Sequence, residues 1–260
     1  YQTKSLHNTF QYICKNIWKG IMQGFGLVLS GGGAKGAYQV GAFRALKEYD
    51  ITISGVSGTS IGGINGFAYA TMSVEVINKL WDDFTFEDFI TPDNNWFDGI
   101  SDRSGLRGIL EEYVYVSRLK SAIPIFNTIC EDEKVPEYRL LNNKSKEEAI
   151  DIMLATSALP VIYSKVSIND KKYMDGGLAD NLPVAPLYDN GFRKLLIIGL
   201  SAKQRIDKVQ YPTKELIEIY PSKDLGNTLS GTINFSPQYI QFAKNLGYED
   251  AKRILAQQLK

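Results

Sequence analysis

The stretch ITISGVSGTSIGGING, residues 51–66, decides how the rest of the chain is read. Its first half is rich in β-branched residues, as a buried strand is. Its second half opens a helix with Gly62 and Gly66 four positions apart. Between them, Gly58-Thr59-Ser60-Ile61-Gly62 spells G-x-S-x-G, the pattern of a serine raised on a sharp strand-to-helix turn. Such a serine ordinarily works with a histidine base. The chain has one histidine, His7, near its amino end. Either Ser60 is a structural turn residue, or a group other than histidine takes its proton.

The same grammar stands just upstream. GFGLVLS (24–30) reads as a buried strand, GGGAKG (31–36) as a glycine turn, and residues 36–48 as a helix. Ala37, Gly41 and Ala45 form a stripe of small residues, expected to seat that helix close on a sheet. Strand, turn and helix, twice over, predict an α/β fold. Downstream, 121–132 and 137–143 read as neighbouring strands. Ser145 with Glu148 forms a capping box that opens a helix to about residue 156. KVSIND and KKYMDGG (165–177) read as a hairpin, and KLLIIGLSA (194–202) and ELIEIY (215–220) as further strands. Residues 237–258 read as two helices broken at Gly247. Residues 74–104 read as irregular and aromatic, with a loop at 91–95. At the amino end, Leu6, Phe10, Ile13, Ile17 and Ile21 predict an amphipathic helix. The organisation expected is this helix over 1–23 and a single domain over 24–260.

Composition narrows the function. The chain has 260 residues, 44% hydrophobic and 22% charged, with zero formal net charge. That balance argues against a nucleic-acid binder. Two cysteines, Cys14 and Cys130, make no disulfide framework. No apolar run has the length of a membrane span. No His, Cys and acidic residues cluster at ligand spacing, so neither a metal nor another cofactor is expected. A cytoplasmic or peripheral membrane location is the expectation, with secretion left open.

GGGAKG admits three readings. Gly31, Gly33 and Gly36 match a dinucleotide fingerprint, which expects an acidic residue closing the second strand. That strand closes on Val56, Ser57 and Gly58 instead. A phosphate loop fails because neither Ser nor Thr follows Lys35. The third reading is an oxyanion hole, in which glycine N–H groups at a helix start face a developing negative oxygen. Lys35 either adds positive potential there or is simply solvated. For the base, Asp175 in YMDGGLADNLP stands at a strand end, with Gly176 and Gly177 leaving room and Asn181 and Pro183 shaping the following loop. Partial desolvation raises a carboxyl pKa and suits it to proton transfer. Asp98-Gly99 is a weaker candidate, because no strand precedes it.

GGGAKGAYQVGAFRAL, GTSIGG and DGGLADNLP, in that order, resemble the patatin-like phospholipases. ATSALPVIYSKV (155–166), IYPSKDLGNTLSGTINFS (219–236) and GYEDAKRIL (247–255) extend the resemblance, which spans about residues 25–258. It implies a three-layer α/β/α fold around a mostly parallel sheet. It implies a catalytic Ser-Asp pair without histidine, with Ser60 at the nucleophile's position and Asp175 at the base's. Gly31, Gly32, Gly33 and Ala34 fall on the oxyanion loop. The resemblance implies fatty-acyl esters of glycerophospholipids as substrate, met at a membrane surface, and calcium independence. A lid held closed until an activating protein partner binds is a further possibility within this family. The aromatic stretch 81–97 and the amino-terminal helix each read either as membrane contact or as ordinary packing. Two other classes stay open: a catalytically silent interaction module and, less well supported, a dinucleotide-binding oxidoreductase.

Overall fold

The computed structural model describes residues 23–89, 91–92, 101–160 and 162–258. The expected amino-terminal helix, His7, Cys14 and Asp98 lie outside them. The chain runs β1 (Phe25–Leu29), α1 (Ala37–Glu48), β2 (Ile53–Thr59), α2 (Ile61–Thr71), α3 (Val74–Asp83) and α4 (Ser104–Tyr113). It continues with β3 (Ile125–Cys130), β4 (Pro136–Leu140), α5 (Lys146–Thr156), β5 (Val166–Ile168) and β6 (Lys171–Asp175). A short α6 (Ala185–Asp189), β7 (Lys194–Ile198), β8 (Glu215–Ile219) and a long α7 (Pro237–Gln258) follow; short helices over Phe86–Phe89 and Val116–Ser121 and a two-residue strand pair, Thr91–Pro92 with Ser101–Asp102, lie among these.

Strands β1 to β8 form one 8-stranded sheet in the order β8-β7-β1-β2-β3-β6-β5, with β4 also paired to β3. Strands β8, β7, β1, β2 and β3 run parallel. Strands β4, β6 and β5 are antiparallel additions at one side, so the sheet is mixed. Residues along β1 alternate between two cores, as a strand buried on both faces requires. Leu27 and Leu29 enter the larger core with α1, α2, α5 and α7, whereas Val28 enters a smaller one with Leu187 and Phe192. The second face is thus covered by α6 and connecting segments, a thinner layer than the first.

Two helix readings are corrected. Residues 237–258 form one continuous helix, and Gly247 does not break it. A Cβ on Gly247 would stand 1.9 Å from the Tyr38 carbonyl oxygen, and one on Gly41 would stand 1.9 Å from that of Lys244. Both glycines therefore serve the crossing of α1 and α7, and Gly41 faces a helix instead of the sheet. The region 74–104 is also more regular than its composition suggests. Ser73 caps α3 by accepting from the Val76 N–H, and Ile77 and Trp81 are buried. In α2 the expectation holds: Gly62 lies against the end of β1 and Gly66 against Val56 of β2. The Ser145–Glu148 capping box is present at the start of α5.

Candidate active site

Strand β2 runs directly into Ser60, which has φ 55° and ψ −129° and stands at the start of α2. That backbone is strained for a residue with a Cβ, and the surroundings hold it in place. The Ser60 N–H donates to Thr156 Oγ1 at 2.9 Å, and the Thr156 hydroxyl donates to the Thr128 carbonyl at 2.6 Å. A Cβ on Gly58 would fall 2.2 Å from the Gly62 carbonyl oxygen, and one on Gly62 would fall 2.4 Å from that of Leu29. The turn can close this tightly only with glycine on both sides of the serine. The Ser60 side chain makes no cap bond to α2, which leaves its hydroxyl available at the positive end of that helix.

Parallel pairing of β1 with β2 brings the glycine loop alongside. The loop is locked by Asn181. Its Oδ1 accepts from the Gly31 N–H at 3.1 Å, and its Nδ2 donates to the Gly31 carbonyl at 3.4 Å. Behind the loop, Trp81 Nε1 donates to Asn65 Oδ1 at 3.0 Å, Asn65 Nδ2 to Gln39 Oε1 at 2.8 Å, and Gln39 Nε2 to the Ser30 carbonyl at 2.8 Å. The Gly31 N–H is thus already used. Among the described residues, nothing accepts from the N–H of Gly32 or Gly33. Ala34 is fully buried, whereas Gly31, Gly32 and Gly33 line a cavity of about 260 Å³ together with Ser60 and Asp175. Lys35 is half-buried, its Cε close to Gly231 and its charge near Asp224, so it faces the segment 224–232. It stays partly solvated and lies outside the cavity lining.

Asp175 ends β6 and is 4% exposed. Burial pushes its pKa up to about 6, against the opposing pull of the Ser60 hydroxyl, the Gly177 N–H and Arg103. The Gly177 N–H reaches Asp175 Oδ1 at 2.8 Å. The loop beyond is tied to β2: Ser57 Oγ donates to the Pro183 carbonyl at 2.6 Å and Thr59 Oγ1 to that of Asp180 at 2.9 Å. Three motifs spread over 150 residues thus meet at one cavity.

Residues 27–188 match the patatin-like phospholipase family. The chain belongs to it. The patatin-like chain is 28% identical over 203 residues to lysophospholipase NTE1 of Cryptococcus neoformans, covering 69% of this chain and 11% of that protein. It is 25% identical over 197 residues to patatin-like phospholipase domain-containing protein 7 of Rattus norvegicus, covering 71% of this chain and 14% of that one. It therefore spans only a small part of these relatives. Among solved structures, VipD from Legionella pneumophila superposes with a TM-score of 0.63 at 14% identity, over 90% of this chain and 67% of that one. That likeness speaks to the fold.

The patatin-like domain also carries site residues beyond the glycine loop, the serine elbow and the aspartate motif. The last turn of α5 and the residues after it hold the site from behind. Thr156 holds the Ser60 N–H, and the Ala158 carbonyl accepts the Asp175 N–H at 3.0 Å. Arg103, at the start of α4, donates to the Leu154 carbonyl and to Ser157 Oγ, the latter at 2.6 Å. Its guanidinium stacks over the Tyr163 ring at 4.4 Å and lines the same cavity. The segment ATSALPVIY was legible as part of the family's pattern, but its hydrogen-bonding role depends on contacts distant in sequence. Arg103 had no local signal at all. The rest of the lining is largely apolar, with Ile61, Ile64, Leu106, Leu159, Ile162 and Phe235. Among the described residues no helix is long and apolar enough to cross a membrane.

Proposed function

We propose that the chain is a lipid acyl hydrolase of the phospholipase A type, acting on glycerophospholipid esters by a Ser60–Asp175 pair. The observation that carries this reading is the meeting of Ser60, Asp175 and two unused loop N–H groups in one largely apolar cavity. Asp175 takes the hydroxyl proton while Ser60 Oγ attacks the ester carbonyl carbon. The carbonyl oxygen becomes an oxyanion, held by the N–H groups of Gly32 and Gly33. Collapse expels the alcohol, which takes the proton back from Asp175. Water, deprotonated by Asp175, then attacks the acyl-enzyme and releases the fatty acid and Ser60. Gly31 and Ala34 serve differently in this scheme: Gly31 is clamped to Asn181, and Ala34 is packed beneath the loop.

The apolar walls suit an acyl chain. The family's name supports a lipid substrate, and the reading proposed here has the enzyme meet it at a membrane surface. A dinucleotide-binding role is disfavoured, because β2 ends in Thr59 and delivers a serine where an acid would be needed.

The deciding experiment is fatty-acid release from mixed phospholipid vesicles, with a calcium chelator present. Ser60→Ala and Asp175→Asn should each lower kcat by about 10⁴–10⁶-fold. Variants that match wild type would end the assignment. A silent wild type whose Ser60 is still labelled by a fluorophosphonate would show a competent site that awaits an activating partner.

A further inference from the structure

Among the described residues, the cavity wall holds one carboxylate, Asp175, and one cation, Arg103. Both are fixed to the same few residues. Arg103 is anchored by the Leu154 carbonyl and Ser157 Oγ, at the negative end of the α5 dipole, and its flat face rests on Tyr163. Asp175 hangs by its N–H from the Ala158 carbonyl, and Ser60 by its N–H from Thr156. The guanidinium cannot swing without losing two hydrogen bonds and a ring contact. Among the described residues no carboxylate, Asp175 included, forms an ion pair with it, and its buried Nε has no partner. A partly buried cation so placed is poorly explained by stability alone, since desolvation penalises it. Burial indeed pushes its pKa down to about 10, which still leaves it charged at neutral pH.

Across the shared cavity its charge pulls on Asp175, after the Ser60 hydroxyl and the Gly177 N–H in order of strength. An apolar cavity favours the protonated carboxyl, which could not accept the Ser60 proton. The Gly177 N–H donates to the carboxyl at 2.8 Å, and the Ser60 hydroxyl also favours its charged form. From β3, the Cys130 thiol lies 3.2 Å from the Asp175 carbonyl oxygen, and burial pushes its pKa up to about 11, so it is neutral. Tyr163 beside Arg103 is likewise raised by burial. The neighbouring Arg107 is occupied by Glu147 and Asp151. We infer that Arg103 is a positioning residue of the reaction: its clamped guanidinium is the counter-charge that keeps Asp175 ionised as a base inside an apolar cavity. The inference rests on the proposed role of Asp175 and adds the group that makes that role workable.

The test compares wild type with Arg103→Met and Arg103→Lys. Initial rates are taken from pH 5 to 10 on two esters of one acyl chain, a monoacylglycerol and a lysophospholipid. In parallel, the Asp175 carboxyl is titrated by isotope-edited infrared spectroscopy, with Asp175→Asn to assign the band. In Arg103→Met the acid limb of kcat/KM should move up by about one pH unit on both esters, with activity recovering at alkaline pH. Arg103→Lys should lie between. A loss equal at every pH would reduce Arg103 to a structural role, and a loss confined to the phosphate-bearing ester would make it a substrate-binding group; either overturns the inference. If Arg103→Met does not fold, Ser157→Ala, which removes one anchor of the guanidinium, is read in the same way. If wild type hydrolyses neither ester and a fluorophosphonate does not label Ser60, the functional proposal fails by itself. The carboxyl titration still decides the Arg103 claim, since an unshifted Asp175 band in Arg103→Met refutes it.

Discussion

The elbow around Ser60 and the crossing of α1 with α7 use the same device for opposite ends. Each brings backbone within reach of backbone by omitting a Cβ, at Gly58 and Gly62 in one and at Gly41 and Gly247 in the other. The elbow holds strain: Ser60 sits at φ 55° and Asp175 is a desolvated carboxyl. The crossing has a buried carboxylate of its own, Asp250, but neither Gly41 nor Gly247 has a positive φ, and the two helices simply pack closely. Its buried polar groups are paired: Tyr38 Oη donates to Asp250 Oδ2 at 3.2 Å and Lys244 Nζ to Asp82 Oδ1 at 2.7 Å. Glycine motifs therefore do not by themselves mark a site. What the absent side chain would meet, and whether strain lies beside it, tells the two apart.

Substitutions can break this comparison. Gly58→Ala should lower kcat/KM by about 100-fold or more, because a misplacement of about 1 Å at a reacting group is enough for that. Esterase kinetics on the folded variant check it; a fully active Gly58→Ala would remove the elbow's special status. Gly247→Ala should do the reverse. Its Cβ would meet a rigid carbonyl, and overpacking of this kind costs about 3 kcal/mol in unfolding free energy. Below its lowered Tm its kcat should be that of wild type, and a selective loss of kcat would tie the crossing to catalysis.

Asp175 sharpens the contrast through pH. Its folded pKa, about 6, is raised above the ordinary value of 3.8. A raised acid contributes stability that is fully present below pH 3.8 and lost as the pH climbs through 6. Asp175→Asn should accordingly be more stable than wild type at pH 7, by up to about 3 kcal/mol, with the gap closing near pH 4. Denaturant melts at the two pH values decide it, and identical curves at pH 7 would mean the carboxyl is not strained. The smallest change expected is for Thr156→Val. It leaves the buried Ser60 N–H without an acceptor, for a loss of about 1–3 kcal/mol. Slower fluorophosphonate labelling of Ser60 should accompany it, and unchanged labelling would show that the elbow holds its shape without Thr156.

Much of this site was legible along the chain because its chemistry is local. A β-branched run followed by G-x-S-x-G can hardly be anything but a strand entering a tight turn. Three glycines after another strand put N–H groups at a helix start, and Asp175 before Gly176-Gly177 looked like a carboxyl with room around it. The misreadings came from the same locality. Gly247 read as a helix breaker because glycine disfavours helix on its own, and packing against Tyr38 overrode that preference. The helix over Val74–Asp83 was obscured because it lies in the aromatic-rich stretch 74–104, which read as irregular.

By itself, the sequence determined the alternation of strand and helix, the serine without a histidine partner, and the family to which these motifs point. Those follow from neighbours a few positions apart, where backbone preference and side-chain size act directly. Only the tertiary structure decided that Asn181 consumes the Gly31 N–H, that Lys35 turns away from the cavity, and that Arg103 shares a wall with Asp175. Those outcomes depend on which distant groups compete for one donor or one low-dielectric space, and that competition exists only after the chain has folded.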